Sequence, residues 1–155
     1  EEKLEKFEID YALLAGLLHD TGKLLLAANL SEDYASALAV MKSREVELTD
    51  AEKMTFGVTH AELGGALLRA WGLPDSVVEA VALHHMPQSQ TDARMSALTA
   101  VHVANGLQHE NGADYISTSI AQIDLDYLNQ IQKAGRISVW RHLARRSLKN
   151  ELKSG

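Results

Sequence analysis

The sequence predicts an all-α protein, a bundle of about six to eight helices. Apolar residues recur at helical spacing along most of the chain, and recognisable caps and stops divide it. Only two prolines, Pro74 and Pro87, interrupt 155 residues, so long helices are permitted on either side of them. Aromatics make up 5% of the chain against 46% hydrophobic residues, so aliphatic side chains and alanine must fill the interior.

Glu1 to Glu8 form a charged lead-in. From about Asp10 to Asn29 the period is helical, with Leu13, Leu14, Leu17, Leu18, Leu24 and Leu25 expected on core faces. Ser31 reads as the N-cap of a second helix through about Ser43, carrying Tyr34, Leu38 and Met41. Thr49-Asp50-Ala51-Glu52 has the form of a capping box and predicts a helix to about Trp71. Met54, Val58, Leu63, Leu67 and Leu68 would face inward along it, with His60 at its middle. Gly72-Leu73-Pro74 stops that helix and opens the next, Asp75 to about His85. Met86 to Thr91 is a polar loop closed by Asp92, and a fifth helix spans about Ala93 to His109, ending at the turn pair Asn111-Gly112. Tyr115 to Ile123 has no decisive period. Asp124 to Lys133 is a short helix ended by Ala134-Gly135, and Ser138 caps a final one, Val139 to about Leu152. The polar face of that last helix, Arg141, Arg145, Arg146 and Lys149, reads as a solvated surface.

The length suits a single domain over residues 1–155. A net charge of −6 argues against a nucleic-acid binder, because phosphate neutralisation needs a basic surface. With no cysteine, any metal site must use histidine and carboxylate ligands, and the composition suits a cytoplasmic setting. No apolar run reaches membrane-spanning length, so no membrane partner is expected.

The informative stretch is Ala15 to Leu26, where His19, Asp20, Gly22 and Lys23 interrupt an apolar helical run. An imidazole, a carboxylate and an ammonium within five residues of a core-facing segment are costly unless they pair or bind something. A satisfied core histidine beside a helix break at Asp20-Thr21-Gly22 would answer that cost. Downstream, however, His60, the His84-His85 pair and Asn105 recur on separate helices. Ligands projecting inward from facing helices are how a bundle builds a metal site.

The segments GLLHDTGKLLL, THAELGGALLRAWGLPDSVVEAVALHH and LTAVHVANGL resemble the HD superfamily of metal-dependent phosphohydrolases, closest to its HDOD branch of bacterial regulatory output domains. The resemblance covers about Tyr11 to Gln108 and implies an HD-domain-like helical bundle. It implies that His19, Asp20, His60, His84 and His85 are the metal-site positions, with a divalent metal ion as cofactor and Asp20 able to bridge two ions. Lys23 matches a basic residue available to a phosphate, so Lys23 and Asp20 would be the catalytic pair of an active member. Two departures follow the same comparison. Asn105 stands where the family closes its motif with Asp, and no histidine precedes His19 to open it. His102, one turn before Asn105, is not expected to substitute. The segment after His85 also lacks the elements of the cyclic-di-GMP phosphodiesterase branch. The resemblance therefore implies a signal-transduction output domain with a degenerate metal site. Its expected partner is a signalling protein or a fused receiver-type domain. An active phosphohydrolase on a nucleotide or signalling phosphoester is the alternative. HDOD domains usually begin with a further helical portion, so this chain is expected to be the C-terminal part of a longer domain or protein.

Overall fold

Helix α1 is Lys6–Leu18 and α2 is Thr21–Asn29, so the expected single helix is broken at the very residues that carry its chemistry. Polar side chains take the backbone's partners there: Thr21 Oγ1 donates to Leu18 O, and His19 Nδ1–H donates to Gly16 O. The computed structural model describes residues 5–90, 92, 94–110 and 123–154. Among them the remaining helices are α3 (Ser31–Arg44), α4 (Leu48–Phe56), α5 (His60–Ala70), α6 (Asp75–Leu83), α7 (Ala97–Glu110), α8 (Leu125–Gln130) and α9 (Ile137–Ser154). Short 3-10 turns at Pro87–Ser89 and Ala134–Arg136 complete the set, and no strand is found among the described residues. The all-α class holds; the count among the described residues reaches nine because two expected helices are each divided.

The second division separates α4 from α5. Gly57, at φ 73°, takes the left-handed conformation that ends a helix, and Thr59 begins the next. The capping box is Thr59 with Glu62, both of its hydrogen bonds being formed. The expected box at Thr49 is absent, since α4 starts at Leu48 and Glu52 is turned into the interior. His60 thus opens a helix instead of sitting mid-way along one. Smaller shifts affect other ends. Ser31 and Ser138 lie inside their helices, and α7 begins at Ala97, where Thr99 Oγ1 accepts the Ser96 N–H. Asp124 does cap its helix, accepting from Tyr127 N–H, but α8 stops earlier than expected, before Gln132 at φ 57°. Asn111-Gly112 and nearly all of the ambiguous Tyr115–Ile123 stretch lie outside the described residues.

The main core joins α1, α5, α6 and α7 through Ala15, Leu68, Val77, Val78, Val81, Leu98 and Val101. A second cluster, with Val103, Leu107, Tyr127, Leu128 and Ile137, attaches α8 and α9 to α7. A third, Met41, Leu48 and Ala51, closes α3 on α4. The leucines of α1 and α2 depart from expectation: Leu13 (65%), Leu14 (38%), Leu17 (83%) and Leu24 (71%) are exposed. The face that α1 buries consists of Tyr11, Ala12, Ala15 and Leu18. Because apolar residues surround this helix on nearly every side, periodicity alone did not select the inward face. Met54 of α4 is likewise exposed.

Helix α2 meets α5 by backbone contact. A Cβ on Gly22 would lie 1.9 Å from His60 O, so only glycine allows the two chains to approach this closely. That contact brings the α1–α2 corner against the start of α5.

Candidate metal centre

Four helix ends converge here. His19 and Asp20 occupy the α1–α2 corner, His60 opens α5, and His84-His85 follow α6. All five residues expected at a metal site are brought together. The His60 ring centroid lies 5.6 Å from that of His84 and 5.0 Å from that of His85, and His19 is 5.1 Å from His84. Two sets of donor atoms each fall within 4.8 Å of one another: His60, His84 and His85, and His19, Asp20 and His84.

The ring nitrogens are used in a consistent way. Each Nδ1–H of three histidines donates to a protein oxygen: His19 to Gly16 O at 2.7 Å, His60 to Glu52 Oε2 at 2.7 Å and His84 to Val81 O at 2.8 Å. Such anchoring fixes the ring and leaves Nε2 to face the cluster, as metal-binding imidazoles require. His84 Nε2 is buried and has no hydrogen-bond partner. His60 and His85 approach Nε2 to Nε2 at 3.1 Å, so one proton is held between two lone pairs that a cation would otherwise take. An all-nitrogen trio with an adjacent carboxylate fits a borderline transition ion better than magnesium.

Electrostatics within the cluster are balanced. Lys23 Nζ lies 2.9 Å from Asp20 Oδ2, and His60 Nε2 lies 3.3 Å from Asp20 Oδ1. The latter is an ion-pair distance without hydrogen-bond alignment, and Oδ1 is buried without a hydrogen-bond partner. Burial alone would raise the Asp20 carboxyl; His60, Lys23 and His19 outweigh it and hold the group well below the usual carboxylate range. Burial also acts against a charged His60, yet the adjacent Asp20 carboxylate and the hydrogen-bonded Glu52 leave it raised above the ordinary histidine value. His84 is pushed down to about 3 by burial. His85 is lowered too, by burial first and then by the neighbouring His84 and His60.

Asn105 is buried on α7, and no hydrogen bond or ion pair joins it to the cluster among the described residues. His102 is a structural tie: its Nδ1–H donates to His84 O at 2.7 Å while Nε2 accepts the Asp124 N–H at 2.9 Å. With both nitrogens engaged it has no lone pair to offer a metal. Sequence reasoning missed Glu52, which is fully buried beneath His60. Its signal was present: Leu48, Ala51 and Glu52 share one face of α4 at i, i+3 and i+4, placing an acid on the apolar stripe.

Fold and site together define a helical bundle with a histidine–aspartate cluster at the meeting point of its helix ends. Residues 1–87 match the family model of the HDOD domain, over half of the chain and including every residue of the cluster. The protein belongs to the HDOD domain family. It is 30% identical over 87 residues to an uncharacterized protein of Treponema pallidum (strain Nichols), a match covering 53% of this chain and 17% of that one. Its fold is similar to the crystal structure of an HDOD domain protein with unknown function from Geobacter sulfurreducens. There the TM-score is 0.69 at 18% identity, over 90% of this chain and 49% of the other. The chain thus spans about half of that solved protein and about a sixth of the Treponema relative.

Proposed function

We propose that this chain is a regulatory output module of bacterial signalling that acts by protein contact, with a metal site degenerate for hydrolysis. The observation that carries this reading is the state of Asp20. It is the one carboxylate placed to act as a ligand beside the histidines among the described residues, and Lys23 and His60 already compensate it. A hydrolytic centre needs anionic ligands to hold its ions, and the Asn105 position supplies none. Protein contact is supported by α1: Ile9, Leu13 and Leu17, four residues apart, form an exposed apolar stripe. The occupant it suits is a signalling domain, separate or fused in the manner of a receiver, that presents an apolar helical face of its own.

A second reading, a metal-dependent phosphohydrolase, is favoured by the three histidines whose Nδ1–H groups are anchored and whose Nε2 atoms face inward. His19, Asp20, His60, His84 and His85 would hold a divalent ion, which would polarise a phosphoryl oxygen and activate water. Lys23 would then balance phosphate charge.

Lys23→Met separates the readings. In the regulatory module the ammonium competes with a cation for Asp20, so the variant binds Zn²⁺ more tightly by calorimetry, with no turnover in either protein. In the hydrolase, the unsubstituted chain turns over members of a phosphomonoester and phosphodiester panel, and Lys23→Met slows it. Turnover in the unsubstituted chain overturns the regulatory reading.

A further inference from the structure

Glu52 has no place in the expected site, yet it is among the most deeply buried side chains of the protein. From α4 it reaches the start of α5 and accepts two hydrogen bonds on a single oxygen, Oε2: the His60 main-chain N–H at 2.8 Å and the His60 ring Nδ1–H at 2.7 Å. Its second oxygen, Oε1, is buried with no partner. The first bond caps a helix end, a task any neutral acceptor performs. Capping does not account for an acid placed out of water with one oxygen unsatisfied, since that arrangement is costly unless positive charge lies close by. The second bond supplies the reason. It fixes the His60 ring so that Nε2 faces Asp20 Oδ1 at 3.3 Å and His85 Nε2 at 3.1 Å. A carboxylate bonded behind an imidazole makes the opposite nitrogen a stronger donor to a cation and sets its direction.

We infer that Glu52 is the positioning residue of a transition-metal site at His60, His84 and His85, supplying from behind His60 the negative charge that Asn105 does not supply. This rests on the cluster's capacity to hold a cation, common to both functional readings. It adds that affinity depends on a residue that never touches the ion. The three donors come from two helix ends, and Glu52 ties one of them to α4, so ring direction is set by packing rather than by the ion.

The test is Zn²⁺ titration of the chain and of its Glu52→Gln variant, with histidine ¹⁵N spectra of the zinc-loaded proteins. Glutamine keeps an amide oxygen for the His60 main-chain N–H but removes the charge. The expected result is a 10- to 100-fold weaker affinity in Glu52→Gln, the range typical of outer-shell partners, at unchanged helix content. In the unsubstituted chain His60 binds zinc through Nε2 and keeps a slowly exchanging Nδ1 proton. Equal affinity in the two proteins overturns the role of Glu52 while leaving the cation site standing. No zinc binding by the unsubstituted chain overturns both. Should Glu52→Gln not fold, the spectrum of the unsubstituted chain decides: Nδ1-coordinated His60 refutes the proposal, and Nε2-coordinated His60 with a protected Nδ1 proton supports it.

Discussion

Gly22 and Gly16 are both helical glycines six residues apart, and the structure predicts opposite outcomes for the same substitution. A methyl group on Gly22 would lie 1.9 Å from His60 O, 2.7 Å from His60 C and 2.9 Å from His60 Cα, all of them backbone atoms that cannot rotate away. To reach ordinary contact, near 3.4 Å, α2 must part from the start of α5. Overpacking of this kind costs about 1–3 kcal/mol or more, against which alanine returns about 1 kcal/mol of helix propensity. At Gly16 nothing lies within 4 Å of the added carbon, so Gly16→Ala gains that propensity without a clash, about 0.5–1 kcal/mol. Urea unfolding should therefore rank the proteins Gly16→Ala, then unsubstituted, then Gly22→Ala, with a total spread of up to roughly 3 kcal/mol. Gly22→Ala should also weaken zinc binding, because the 3.3 Å approach of His60 to Asp20 depends on that contact. A Gly22→Ala protein as stable as the parent and binding zinc equally well would refute the close crossing of α2 and α5.

Other consequences follow from the same geometry. Leu13→Asp with Leu17→Asp should leave stability within about 0.5 kcal/mol in urea unfolding, since both side chains are solvent-exposed; collapse of the fold would place that face in the core. His102→Phe removes the partner of His84 O and of the Asp124 N–H, and should cost roughly 2–4 kcal/mol in the same assay. Unaltered stability with abolished zinc binding would instead make His102 a ligand. Acidification should destabilise the metal-free protein. His84, His85 and His102 are held below the ordinary histidine value of 6.5, chiefly by burial. Below that value the unfolded chain takes protons that these rings refuse, so stability falls by about 1.4 kcal/mol per pH unit for each ring that stays neutral. His84 sustains the loss until about pH 3. His60 has the opposite sign: its contribution is complete below 6.5 and is lost as pH rises through its elevated value. Unfolding midpoints that stay flat or rise with mild acidification would contradict this assignment.

The sequence made the helical class and the site residues legible for different reasons. Aliphatic periodicity survives local error, so dividing two helices left the class intact. The residues of the cluster were readable because charged and imidazole side chains stand out in an apolar run, as His19, Asp20 and Lys23 do. What stayed hidden was orientation. Leu13 and Leu17 are as apolar as Leu18, and the choice of inward face was made by α6 and α7, far along the chain. Glu52 was assigned to a local cap because its partner His60 lies eight residues away, across a turn that Gly57 creates. Local sequence rules see i and i+3; the carboxylate–histidine bond is a product of packing.

The proposed histidine cluster holds a cation without sustaining hydrolysis. The most direct measurement is metal content and phosphoester turnover on one sample purified without chelator. The expected result is bound zinc or a similar transition ion, lost in His60→Ala, and turnover no faster than buffer containing the same metal. Stoichiometric metal together with turnover abolished by His19→Ala or Asp20→Ala would contradict it.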